Sequence, residues 1–364
     1  MRKYMLPETG RFYKANLHSH STLSDGNLTP AQMKEEYQKR GYSILALSDH
    51  DVLHCSYELS DQDFLILTAY EISVRSDDVA IPHAYRKVVD LNLFAKEPHN
   101  MTQVGFHPDT VAHWIKRGRI TEQQAREIKY AGELRDTHYY PANINKIIRS
   151  ANENGFLVSV NHPVWNLVDA RDYTAYEGAW AVEVYNHGCA VLSGMNDAEH
   201  VFEDILRTGK KIFAVATDDN HNSFPLDSWQ CDSFGGFTMI KAESLDYSTV
   251  ISAMERGHFY ASTGPLIEEL YYEDGKIYLR CSEAAEVCMN SLGRWGRRVA
   301  GSAGELITEA VFDLEKDLFD RPQNVDCWGY VRFRVTDKAG RKAYTNAYYL
   351  DELMDGRAKV RAIL

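Results

Sequence analysis

Short apolar runs alternate with capped helical stretches through the first two thirds of this chain, and that alternation constrains the fold more than any other feature. The runs lie at Tyr13 to Leu17, Ser43 to Leu47, Phe64 to Ala69, Lys87 to Phe94, Phe156 to Val160, Ala181 to Tyr185, Ile212 to Ala216 and Gly236 to Ile240. Several are apolar throughout, the pattern of strands covered on both faces. Helix boundaries are legible between them. Thr29-Pro30-Ala31-Gln32 supplies an N-cap, a proline at the first helical position and a glutamine that reaches back, and Gly41 closes that helix. Further helices are expected from about Asn143 to Glu153 and from Asn196 to Thr208, each stopped by a glycine. A β/α succession follows.

The character changes at Ser262-Thr263-Gly264-Pro265. Beyond it, segments such as Lys276 to Cys281, Glu286 to Asn290, Ile307 to Phe312, Tyr330 to Val335 and Ala343 to Leu350 are short, β-rich and separated by turn signals. The expected division is a barrel over residues 1–264 and a small all-β sandwich over residues 265–364. A length of 364 residues accommodates both. The formal charge of -12, without any run of Lys and Arg, argues against extended nucleic-acid binding. No apolar stretch approaches the ~20 residues of a membrane span, and MRKYMLPETG lacks the apolar core of a secretory signal. Six cysteines without a C-x-x-C fit reduced thiols and a cytoplasmic address.

Histidines and carboxylates gather where the strand-like runs stop. His18 and His20 follow the first run as H-S-H, and in an extended chain such i, i+2 side chains share a face. Asp25 lies in a Ser-Asp-Gly turn, His50 follows the second run, Glu71 the third, His162 the fifth, and Asp219 and His221 the seventh. In a closed β/α barrel the carboxyl ends of the strands converge on one face, so these residues would meet. Five imidazoles and three carboxylates without a thiolate suit Zn, Mn or Fe, and are too many for one ion. Two or three divalent ions are expected. Asp49 and Asp51 flank His50, either as acceptors for a ligand imidazole or as a helix cap. His54, His113, His138, His200 and His258 are expected to be ordinary surface or core residues.

These residues closely resemble the polymerase and histidinol phosphatase (PHP) family. The resemblance rests on Asn16-Leu17-His18-Ser19-His20-Ser21-Thr22-Leu23-Ser24-Asp25-Gly26, Ala46-Leu47-Ser48-Asp49-His50-Asp51, Tyr70-Glu71-Ile72-Ser73, Asn161-His162-Pro163 and Asp219-Asn220-His221. It spans roughly residues 12–264 and implies a distorted (β/α)7 TIM-like barrel, up to three metal ions and phosphoester hydrolysis. Glu183-Val184-Tyr185-Asn186 echoes the standalone phosphoesterases of the family. One departure stands out. Similar proteins carry a further histidine at the start of the strand after the glutamate motif, where this chain has Asp90, with His83 seven residues earlier. Asp90 is the favoured ninth ligand; His83, His99 and His107 are the alternatives.

The expected function is metal-dependent hydrolysis of a phosphoester in a small phosphorylated molecule, through water activated between two ions. His187 and Asp51 are candidate proton donors to the leaving oxygen, and Arg86 and Asn186 candidate substrate ligands. The segment from Ala95 to Tyr140, with a capped helix beginning at Thr121, either shapes the substrate pocket or packs outside the barrel. Hydrolysis of an amide or carboxylic ester is the alternative chemistry. A glycan-binding protein using Trp295, Trp328 and Tyr348-Tyr349 is the non-enzymatic one. The β-domain is expected to pack against the barrel or to join a second copy in a homo-oligomer.

Overall fold

The computed structural model describes residues 2–136, 138–195, 197–294, 296–319 and 329–354. Asn196, Trp295, Cys327 and Trp328 lie outside the described residues, and with them part of the expected helix start and glycan surface. The barrel strands are β1 (Arg11–Asn16), β2 (Ile44–Leu47), β3 (Leu65–Arg75), β4 (Val88–Ala95), β5 (Phe156–Val160), β6 (Ala181–Asn186) and β7 (Phe213–Thr217). They are hydrogen-bonded in that order, and β8 (Phe237–Ala242) pairs antiparallel with β1. The ring closes through a side chain. The Thr238 hydroxyl donates to the Ala216 carbonyl at 3.1 Å and accepts from the Ala216 amide at 3.3 Å, joining β8 to β7.

Pairings β1–β2, β2–β3, β5–β6 and β6–β7 are parallel, as a β/α succession requires. The exception is β4, antiparallel to both β3 and β5. Its ladder with β3 reaches from Ala69↔Phe94 to Arg75↔Val88, so β3 continues past the Ala69 end expected from its apolar run. Glu71 therefore lies within a strand. The periodicity of residues 64–69 could not reveal this, because a partner arriving from later in the chain lengthens the strand.

Helices α1 (Pro30–Lys39), α4 (Pro141–Glu153), α5 (Glu199–Arg207) and α6 (Tyr247–Glu255) pack outside or below the sheet, whereas α2 (Pro108–Lys116) and α3 (Glu122–Glu127) lie by the rim near Val52. Thr29 with Gln32 and Thr121 with Gln124 form the reciprocal capping pairs expected from the sequence. Ile144, Ile147, Ile148 and Ala151 line one face of α4 and share a core with Tyr70 and Ile72 of β3 and with Val201, Phe202 and Ile205 of α5. The barrel interior is filled by Ala15, Ile44, Ala46, Leu65, Leu67, Phe94 and Val215, with Tyr247, Val250 and Met254 of α6 below. A filled interior leaves the chemistry to the rim.

After Ser262 the chain forms β10 (Ile267–Glu273), β11 (Lys276–Ala284), β12 (Glu286–Ser291), β13 (Gly296–Ala300), β14 (Ile307–Asp313), β15 (Tyr330–Thr336) and β16 (Lys342–Thr345). The N-terminal pair Lys3–Tyr4 joins β10, β11 and β14 in a four-stranded antiparallel sheet. That sheet packs Leu270, Ile277, Leu279 and Phe312 against Val287, Met289, Val331 and Phe333 of β12 and β15. The second layer is continuous with the barrel: β8 pairs with β9 (Phe259–Ser262), β9 with β16, and β16 with β15. Among the described residues no helix is long and apolar enough to cross a membrane.

Asn346 fastens this junction. Its amide donates to the carbonyls of Gly257 and Phe259 at 3.0 Å each, and its oxygen accepts from the Ala214 amide at 2.9 Å. Replacement by Ala strands three buried backbone groups, so Asn346→Ala is expected to lower the unfolding free energy by about 3 kcal/mol, read as a fall in the urea midpoint. An unchanged midpoint would show that the junction is held elsewhere.

Candidate metal centre

Local geometry at the strand ends aims the imidazoles inward. His18 and His20 follow β1 on extended chain, and the next turn folds back so tightly that a Cβ on Gly26 would lie 2.2 Å from the His20 carbonyl oxygen. Asp49 holds that turn, accepting from the Ser21 amide and hydroxyl at 2.8 Å and from the Ser24 hydroxyl at 2.7 Å. Asp25 is thereby fixed opposite His50 and His221. Asp218 does the same for the last loop, accepting from the amides of Phe234, Gly235 and Gly236 and from the Tyr37 hydroxyl. Asp51, His162 and Asp219 all have positive φ, at 60°, 23° and 52°. For residues with a Cβ this conformation costs on the order of 1–3 kcal/mol and gathers at functional sites.

Eight side chains converge in three overlapping groups: His20, Asp25, His50 and His221; His18, Glu71 and His162; and His18, His20 and Asp219. Glu71 is 1% exposed and reaches His50 Nδ1 at 3.0 Å, His18 Nε2 at 3.3 Å, His20 Nε2 at 3.4 Å and His162 Nε2 at 3.6 Å. One oxygen of Asp219 lies 3.1 Å from both His18 Nε2 and His20 Nε2. His221 Nε2 approaches Asp25 at 3.4 Å.

The donor chemistry of this cluster fits divalent cations. His18 Nδ1 lies 2.7 Å from Glu183 Oε1, a contact that places the proton of a neutral imidazole on Nδ1 and leaves a lone pair on Nε2. That lone pair faces His20 Nε2 at 3.2 Å and the oxygens of Glu71 and Asp219. His20 Nδ1 is buried without a hydrogen-bond partner. Ring nitrogens and carboxylate oxygens crowded this closely are the arrangement a cation satisfies when it takes the place of ring protons.

Electrostatics agree. Burial works against the charged form of Glu71, but the imidazoles of His18 and His50 outweigh it and hold the carboxyl well below its ordinary range. Burial likewise opposes protonation of His50 and His162. Glu71 reverses this in both, with Asp25 and Asp51 adding at His50 and Asp219 and Asp90 at His162, so the two are raised to about 10 and about 9. Burial, then the neighbouring His221 and His50, lower His20.

The antiparallel direction of β4 explains the position of Asp90. Because this strand runs back from the rim, its third residue, and not its end, faces the cluster. Asp90 is buried, accepts a hydrogen bond from Ser73 and lies 3.9 Å from His162 Nε2. Burial and then Glu71 raise its carboxyl to about 6. The alternatives lie elsewhere: His83 is exposed beside Arg75, His99 is exposed beside Cys55, and His107 caps α2 by accepting from the Asp109 amide.

The other sequence candidates take varied places. Both oxygens of Asp51 are engaged, by Arg135 at 3.1 Å and the Trp114 indole at 3.3 Å, so it binds the segment after β4 to the rim instead of facing a leaving group. Trp114 lies parallel to His50 at 6.1 Å, and Arg119 donates to the Thr22 carbonyl. Of the two placements expected for that segment, the structure has the one against the rim that carries the cluster. Asn186, one of the two expected substrate ligands, is 2% exposed and turned inward, donating to Glu183 and Asp219 and capping the next short helix. Arg86 donates to the Ile81 carbonyl at 2.7 Å and, among the described residues, makes no hydrogen bond or ion pair with the cluster. His187 is half-buried, 3.0 Å from the Tyr185 hydroxyl.

Sequence reasoning missed the task of Glu183. It is buried and gathers the His18 ring, the His162 amide, the Thr217 hydroxyl and the Asn186 amide within 2.7–2.9 Å. The signal was a lone carboxylate inside the apolar run Ala181 to Tyr185.

No family model matches the sequence, and no curated protein matches it. Among solved structures, the chain is similar to a two-domain protein from Bacteroides vulgatus containing a predicted PHP-like metal-dependent phosphoesterase, at 14% identity and a TM-score of 0.46, over 95% of this chain and 98% of that one. It is similar to a protein from Bifidobacterium adolescentis proposed to be a metal-dependent phosphoesterase, at 17% identity and a TM-score of 0.37, over 59% and 89%. An amidohydrolase from Chromobacterium violaceum with bound sulfate and no metal matches at 18% identity and a TM-score of 0.36, over 57% and 87%.

Two outcomes are expected. Glu183→Gln removes the negative charge beside His18 and turns one of the two accepting oxygens into a donor, and it should weaken metal binding by about 10–100-fold while the chain stays folded, measured by competition with a chromogenic chelator. Protonated His50 and His162 stabilise chelator-stripped protein below about pH 6.5, the ordinary imidazole value, and this contribution is lost as the pH rises through about 9 to 10. Metal uptake at pH 8 should therefore release protons. Calorimetric heats that do not depend on the ionisation enthalpy of the buffer would contradict this.

Proposed function

We propose that this chain is a metal-dependent hydrolase that cleaves a phosphoester bond in a small molecule. The observation that carries the proposal is the convergence of five imidazoles with Asp25, Glu71 and Asp219 in three overlapping groups at one rim. The phosphoester assignment within metal hydrolases rests on the motif resemblance around His18, His50, Glu71, His162 and Asp219. Divalent ions held there would activate water and offset charge on the phosphoryl group. Zn, Mn and Fe all suit the donor set.

The chain's own groups supply the rest. Glu183 and Asn161 fix the tilt of His18 and Glu71, the latter through a 2.7 Å hydrogen bond. His187 is the group we assign to protonate the leaving oxygen, since Asp51 is occupied by Arg135 and Trp114. Trp165 packs edge-on against His162 and is 41% exposed, so its face is available to an apolar part of the substrate. Trp114 lies parallel to His50 at 6.1 Å and covers part of it. The free cysteines among the described residues suit a reducing compartment, and we place the protein in the cytoplasm.

The test is turnover of phosphomonoesters, phosphodiesters, carboxylic esters and amides by protein loaded with Mn, Zn or Fe. Phosphoester turnover is expected, falling by about two orders of magnitude or more in His20→Ala and Asp219→Ala. Turnover confined to amides or carboxylic esters would replace the phosphoester reading with the alternative chemistry. Full activity and metal content in either variant would remove the site assignment itself.

A further inference from the structure

A second cavity, of about 630 Å³, opens between α5 and the strands of the C-terminal third, and its lining shares no residue with the metal centre. Glu199, Glu203 and Arg207 come from α5, Asn290 from β12, Arg332 from β15, and Arg294 from the turn between β12 and β13. Its volume lies in the range of small-molecule sites.

The polar groups at this cavity do not balance among themselves. Arg332 is 1% exposed. Its Nε donates to Glu203 and one terminal nitrogen donates to Glu199 at 2.7 Å, while the other terminal nitrogen has no partner among the described residues. Glu199 also receives Arg334, whose NH1 lies 3.0 Å from both carboxylate oxygens. Glu203 accepts the Tyr330 hydroxyl at 2.9 Å and has Arg207 at 3.8 Å. Asp197, the remaining carboxylate of the lining, has Lys342 at 3.5 Å. Every carboxylate therefore has its cation. Arg294 is exposed and makes no ion pair among the described residues, and Asn290 Oδ1 is buried without a partner. What is left unmet at the cavity is one buried guanidinium donor, one exposed arginine and one amide acceptor. A buried guanidinium donor without an acceptor carries a desolvation cost that a ligand oxygen would remove.

From this imbalance we infer that the cavity is a binding site for a small oxyanion, a carboxylate or phosphate compound that also carries a hydroxyl group. Arg332 and Arg294 take the anion and Asn290 accepts from the hydroxyl. A buried arginine on a strand and an exposed one on a turn can both give an oxyanion charge-assisted hydrogen bonds. Because α5 belongs to the barrel layer and β12 and β15 to the second layer, the bound anion bridges the two.

The test uses the full metal-loaded chain and three probes: sulfate, inorganic phosphate and citrate. Binding is followed by calorimetry, and crystals soaked in selenate are searched by anomalous diffraction. Citrate, with its hydroxyl, should bind more tightly than sulfate. Arg294→Gln removes an exposed side chain without an ion-pair partner, so folding should be unaffected, and it should weaken probe binding by about ten-fold or more; Arg294→Lys should restore part of it. A selenium peak between Arg294 and Arg332 is expected. Anions held by the metal centre would give a separate peak that Arg294→Gln leaves in place. Equal affinities in wild type and Arg294→Gln, or no selenium in this cavity, would overturn the inference.

Discussion

Glu71 is a carboxylate buried among the imidazoles of His18, His20, His50 and His162, and the architecture around it follows from what such burial demands. An isolated charge in an apolar interior is costly, so its partners must be held in place by backbone that cannot drift. Strands provide that rigidity. β1, β2, β3, β5 and β7 each carry a candidate ligand at or just beyond the rim, and a filled interior lies below them. Around the ligands, a further layer of acceptors sets the angles: Asp49 for the turn bearing Asp25, Asp218 for the loop bearing Asp219, and Glu183 for His18 and the His162 backbone.

The reversed strand β4 is the main deviation from a simple barrel. Its antiparallel pairing lengthens β3, keeps Glu71 inside a ladder and brings the start of β4 to the rim. A carboxylate at Asp90 is thereby set beside His162 at the same level as the other candidate ligands. Compared with an imidazole at this place, it adds negative charge to the cluster, and its raised affinity for a proton reflects Glu71 nearby in a buried setting. Asp90 stands beside the three groups of candidate ligands without belonging to them.

Two attachments brace the barrel from outside. The segment between β4 and α4 places Trp114 over His50 and Arg119 on the turn after His20, so a sequence insertion becomes one wall of the candidate site. At the other side, the strands of the C-terminal third continue the barrel sheet through β9 and β16, and Arg332 and Arg334 reach α5 through Glu199 and Glu203. The N-terminal residues Met5 and Leu6 belong to the sandwich core, although they precede the barrel in the chain.

The sequence by itself determined the alternation of elements, the helix caps at Thr29 and Thr121, and the residue types that collect at strand ends, because hydrophobic periodicity, capping and ligand chemistry act over a few residues. It left open which of Asp90 and His83 lies near the cluster, where the 95–140 segment packs, and what Asp51, Asn186 and Glu183 do. Those depend on groups far apart in the chain. Asp90 faces the rim only because β4 runs backwards, Asp51 is engaged only because Arg135 and Trp114 arrive from the insertion, and Glu183 matters only because His18, 165 residues away, folds onto it. Strand direction and long-range pairing are set by the assembled sheet, and no local pattern encodes them.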